Sequence, residues 1–149
     1  MTFTMSSLSR SLADYLAPIL LNVEFYEDPN QQDTVCPCMF LQQRYSKISL
    51  KQAGRFLRTI GVDLTYLEDY NLPNLQRLYE GVSEKLDLCL ETFTYTVGED
   101  STLLRAYERN AKIDLDALHY NFELRIWVKP VWTGTPMQTM TYQEEILYG

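Results

Sequence analysis

The stretch LHYNFELRIWVKPV, Leu118 to Val131, decides the fold. Leu118, Tyr120, Phe122, Leu124, Ile126 and Val128 occupy every second position, and successive side chains of a strand point to opposite faces. One side of a long strand is therefore apolar. His119, Asn121, Glu123, Arg125, Trp127 and Lys129 line the other side. The pattern predicts one face on a core and one face that is polar or packed against another subunit. Helices and further strands must cover the apolar face.

Working outward, the tight Asp116-Ala117 connection joins this strand to an alternation over Arg105–Leu115, which runs through Tyr107, Ala111, Ile113 and Leu115, so the two form a hairpin. Arg55–Leu67 alternates as well, with Phe56, Ile60, Val62, Leu64 and Tyr66 on one face. Arg58 breaks that face and is expected beyond the core's edge. Val35–Gln43 reads as a strand in which Pro37, lacking a ladder donor, favours an edge or a strand start. Asn22–Glu27 and Thr92–Thr96 are short strand candidates, and Tyr45–Gly54 is a polar excursion between strands. Asp28–Asp33 and Gly98–Asp100 are turns by composition.

Helical spacing appears twice. Leu8, Leu12, Tyr15, Leu16, Ile19 and Leu20 predict an amphipathic helix over Ser7–Leu20, capped by Ser6 or Ser7 and kinked or ended by Pro18. Leu75, Leu78, Tyr79, Val82, Leu86, Cys89 and Leu90 predict a second over Asn71–Glu91, with Asn71 or Asn74 as cap and Pro73 in the first turn. The fold class is α+β: an antiparallel or mixed sheet of four to five strands with two helices packed on one face. Residues 1–149 form a single domain, with 7–131 as its core and 132–149 as a C-terminal arm in which the strand pattern has stopped.

Composition narrows the function classes. The chain has 149 residues, 46% hydrophobic and 22% charged, with a net charge of −7. That is enough for one sizeable core. The acidic balance argues against unaided binding to nucleic acid or an anionic membrane. The 11 tyrosines and two tryptophans are a high aromatic load, and aromatics are enriched both in strands and at interfaces. The three cysteines, Cys36, Cys38 and Cys89, without a signal peptide or a long apolar run, point to reduced thiols and a cytoplasmic site of synthesis.

A catalytic or metal site has little to stand on. His119 is the one histidine, and a strand histidine on a polar face is usually solvated or hydrogen-bonded. Cys36-Pro37-Cys38 with one distant cysteine and one histidine completes a zinc site poorly, and a redox pair usually has two intervening residues. No Gly-rich phosphate loop, nucleophile elbow or zinc-protease helix occurs. No cofactor is expected, and the residues favour a binding or structural role.

Three stretches, in order, resemble one family. They are Pro37-Cys38-Met39-Phe40-Leu41; Arg55-Phe56-Leu57-Arg58-Thr59 running into Val62-Asp63-Leu64-Thr65-Tyr66; and Ile113 through Leu118-His119-Tyr120-Asn121-Phe122. With the helix between the second and third, the chain from about residue 8 to 146 resembles the tail terminator, or tail completion, proteins of tailed bacteriophages. It departs from that pattern around Tyr45–Gly54 and Thr94–Leu104. The resemblance implies a non-enzymatic structural protein of the virion tail and neck, assembled in the host cytoplasm. It implies a homo-hexameric ring on the head-proximal end of the tail tube, which stops tube polymerisation. The implied partners are the tube protein, a neck or head-completion protein, and the sheath protein if the tail is contractile. DNA would pass through the ring without specific binding, and no membrane is involved. Subunit contacts are expected from Arg125, Trp127, Lys129, Trp132, Met137, Met140 and Tyr142. The alternatives are another neck or tail component, such as a head-completion adaptor or a tube protein, or a non-phage ligand-binding module with a pocket under the sheet.

Overall fold

The computed structural model describes residues 3–27, 36–69, 71–114, 116–133 and 141–146. Strand β7, Leu118–Thr133, is its axis. Strand β3, Phe56–Leu67, pairs antiparallel with β7 from Tyr66↔Leu118 to Phe56↔Val128. Strand β2, Cys38–Leu50, pairs antiparallel with β3, and the short β1, Glu24–Tyr26, runs parallel to the start of β2. Strand β6, Tyr107–Ile113, flanks β7 on the other side, giving the order β1-β2-β3-β7-β6. The single parallel pair makes the sheet mixed.

The six alternating apolar residues of β7 are all buried, none more than 3% exposed. Ile60, Val62, Leu64 and Tyr66 of β3 join them, as do Met39 and Leu41 of β2. Helix α1, Met5–Leu16, lays Leu8, Leu12 and Leu16 on this inner face. Helix α2, Leu75–Cys89, adds Tyr79 and Leu86, with Leu90 just beyond its end. Burying a Leu- or Phe-sized side chain contributes about 1.5–3 kcal/mol, so this layer supplies most of the driving force. Helices alone do not complete it. Strands β4, Thr92–Val97, and β5, Asp100–Arg105, form a separate hairpin that also lies on the inner face. Its Phe93 meets Phe122 edge-on at 6.3 Å. Ser11 of α1 ties the hairpin down, since its hydroxyl accepts from the Thr96 N–H at 2.9 Å and donates to the Thr96 carbonyl at 3.3 Å.

Several boundaries differ from the sequence reading. Helix α1 starts earlier, because the Thr4 hydroxyl rather than Ser6 or Ser7 caps it, accepting from the Ser7 N–H at 3.1 Å. It stops at Leu16 rather than Leu20, where Pro18 can supply no N–H to the next turn. Asn74 holds the N-cap position of α2 without a side-chain hydrogen bond, and Pro73 lies just before it rather than in the first turn. Tyr45–Leu50 is not an excursion: β2 continues through it and returns through a short turn at Gln52–Gly54. Strand β5 was not foreseen. The strand pattern also does not end at Pro130, since β7 runs on to Thr133 and strand β8, Thr141–Ile146, pairs with it from Val128↔Ile146 to Thr133↔Thr141. Beyond Val128 the pairing with β3 has ended, and Pro130 stands opposite Glu144 of β8 alone. The expected turn at Asp28–Asp33 lies outside the described residues.

Candidate assembly surfaces

The outer face of the sheet carries the residues that looked chemical in the sequence. His119 Nδ1 lies 2.9 Å from Asp63 Oδ2, and its Nε2 lies 3.4 Å from Asp114 Oδ2. The Thr65 hydroxyl donates to Asp63 Oδ1 at 3.1 Å and sits 3.4 Å from the same His119 Nδ1. A hydroxyl nucleophile needs the free ring nitrogen, with the carboxylate on the other. Here a carboxylate stands at each ring nitrogen, Asp63 at Nδ1 and Asp114 at Nε2, and the Thr65 hydroxyl donates to Asp63 rather than to the ring. The group fastens β3, β7 and the β6–β7 turn together across the outer face.

The three cysteines lie in three environments. Cys36 is exposed, Cys38 is fully buried at the head of β2, and Cys89 is half-buried. Burial, then the neighbouring Cys36 and Glu68, pushes the Cys38 thiol up to about 12. The thiolate is the reactive form, so Cys38 is inert at neutral pH. Maleimide should therefore label Cys36 in the native protein and Cys38 only after unfolding. Equal labelling rates, read by mass spectrometry, would mean that the head of β2 is open. Among the described residues no group of three or more His, Cys, Asp or Glu is placed to hold a metal ion.

A cleft of about 130 Å³ lies between α1, β1 and β2, lined by Leu12, Ala13, Phe25, Phe40, Leu41 and Leu64. Small-molecule pockets are typically about 300–1,000 Å³, so this cleft lends a ligand-binding role little support.

The predicted contact residues fall into two groups. Arg125 and Trp127 are half-buried on the outer face of β7, and each has a partner within the chain. The Arg125 guanidinium lies 4.1 Å from the centre of the Tyr107 ring, and the Arg55 guanidinium lies 5.0 Å from that of Trp127. Trp127 and Arg55 border an open recess with Leu50, Lys51 and Gln52. Lys129 and Trp132 belong to the distal part of β7, and Trp132 is in register with Tyr142 of β8. Met137 and Met140 lie outside the described residues.

Sequence reasoning missed the most prominent surface, the arm formed by the distal halves of β2 and β3. Every residue from Gln42 to Arg55 is exposed. A bulge at Arg44 resets the register and lays the Tyr45 ring over Gly61, in the space a Cβ there would take. Beyond the bulge Ile48 and Leu50 are paired with Arg58 and Phe56 and are 49% and 68% exposed. Arg44, Lys47, Lys51 and Arg55 stand on this arm with no acidic residue between Gln42 and Val62. That run of one charge sign was the available signal.

The exposed, basic β2–β3 arm and the aromatic outer face of β7 are surfaces suited to contacts with other proteins. The chain belongs to a family of phage tail terminator proteins, whose family model matches residues 7–134. It is thus a structural protein of the phage tail. A search of curated proteins found no match. Among the described residues no helix is long and apolar enough to cross a membrane.

Proposed function

We propose that this chain closes into a homo-hexameric ring on the head-proximal end of the tail tube. There it ends tube polymerisation and gives the neck or head-completion protein a surface to bind. The chain acts as a fitted part and not as a catalyst. In a contractile tail the last sheath ring would touch it as well. Membership of the terminator family across residues 7–134 carries this reading. The acidic composition agrees with a ring around a channel that lets DNA pass without holding it. Assembly would take place in the host cytoplasm. Arg125, Trp127, Lys129, Trp132, Met137, Met140 and Tyr142 are the proposed contact residues.

Tail length tests this reading. Infection with the gene for this chain disabled should give tubes of uncontrolled, mostly excessive length that fail to join heads, as counted by electron microscopy. Tails of normal length that still join heads would overturn it.

A further inference from the structure

The sheet is electrically bipolar along its strands. At the distal end, where β2 turns into β3, Arg44, Lys47, Lys51 and Arg55 are exposed. None of the four forms an ion pair with a described residue; Lys47 lies 5.8 Å from the Tyr45 ring centre and Arg55 lies over Trp127. The opposite end gathers carboxylates. Glu24 opens β1, Glu68 and Asp69 follow β3, and Asp114 and Asp116 lie in the β6–β7 turn. Tyr79 holds two of these segments together, accepting from the Glu68 N–H at 3.1 Å and donating to the Asp116 carbonyl at 2.9 Å. Lys112, 3.9 Å from Asp114, offsets only part of that charge.

We infer that the distal β2–β3 arm docks on the acidic end of the sheet in a second copy of this chain. The inference rests on the ring reading and names the surfaces that close the ring. A contact between two different surfaces of identical subunits is heterologous, and heterologous contacts generate rings. Opposite charge on the two surfaces speeds encounter and fixes the orientation of neighbours. Ile48 and Leu50, exposed among the cations, favour a protein partner. A duplex offers phosphates to the cations but no apolar surface for these two side chains. The net charge of −7 further opposes a long approach to DNA.

A charge swap tests the contact. One variant carries Arg44→Glu, Lys47→Glu and Lys51→Glu; a second carries Glu24→Lys, Asp69→Lys and Asp116→Lys. All six side chains are exposed, so both variants should melt close to the unsubstituted protein. Each alone should lose self-association by roughly 100-fold or more, measured by sedimentation at moderate salt and by cross-linking on purified tails. An equimolar mixture should regain it, because subunits alternating around an even-numbered ring restore every opposite-charge contact. Several outcomes would overturn the inference. They are full association of the first variant alone, a mixture of two folded variants that stays apart, or loss of DNA binding by the first variant with rings intact. If the unsubstituted chain fails to self-associate in solution and on tails, the ring reading falls with it.

Discussion

Phe122→Ala is expected to unfold the domain or leave it poorly expressed, while Trp127→Ala on the same strand should melt close to the unsubstituted protein. Phe122 is 3% exposed and packs edge-on against Phe93 at 6.3 Å, so its removal opens a cavity between the sheet and the β4–β5 hairpin. Losses of this kind cost about 3–5 kcal/mol, a large share of a domain's net stability of roughly 5–15 kcal/mol. Trp127 lies on the outer face, half-buried beneath Arg55, whose guanidinium is 5.0 Å from its ring centre. A cation–π contact at such a partly exposed site contributes about 0.5–1 kcal/mol. Its loss should shift the melting temperature little and impair tail completion much more, since a tryptophan at the centre of an interface often dominates binding. The measurement is thermal melting beside a tail-length count. A Trp127→Ala protein that melts as low as Phe122→Ala would show that the outer face is buried within one subunit.

Tyr79 should be the costliest position on α2. It is 1% exposed, meets Tyr66 edge-on at 5.9 Å, and bridges the Glu68 N–H and the Asp116 carbonyl through its hydroxyl. Burial raises the pKa of its phenol, so the hydroxyl stays protonated and able to donate. Tyr79→Ala removes the ring and both hydrogen bonds, at about 3–5 kcal/mol for the cavity alone. Tyr79→Phe keeps the ring and leaves a part-buried N–H and carbonyl without the hydroxyl, at about 1 kcal/mol. Urea denaturation should place the three proteins in that order. Equal midpoints for Tyr79→Phe and the unsubstituted chain would mean that water replaces the hydroxyl and that the bridge does not hold the acidic turns together.

The parts of the fold that the chain announced are those whose own residues carry a period. The inner row of β7 and the stripe of α2 from Leu75 to Leu90 are each encoded by apolar spacing. The β6–β7 pairing was legible too, but not the single apolar face expected of β6: a bulge between Tyr107 and Asn110 sets Tyr107 opposite Glu123 on the outer face, while Ala111 and Ile113 stand opposite Tyr120 and Leu118. What went unread is held by partners instead. Ser46 to Leu50 has few strand-favouring residues and no core beneath it; β3 keeps it extended. β5 is short and is defined by its pairing with β4 across the Gly98 turn, where φ is +60°. Pro130 looked like a strand end because a missing N–H matters only where a neighbour would accept it, and sequence does not show which edge is free. Of the candidate contacts, Arg125 and Trp127 were legible from alternation, but their intrachain partners Tyr107 and Arg55 come from other strands. The cations of the arm were visible as residues, and only the hairpin places them opposite the carboxylates at the other end of the sheet.

Cryo-electron microscopy of intact tails tests the central claim most directly. The account predicts one ring of six copies of this chain at the head-proximal end, with the basic arm of each subunit against the acidic sheet end of its neighbour. This chain repeated along the tube, or missing from its head-proximal end, would contradict it.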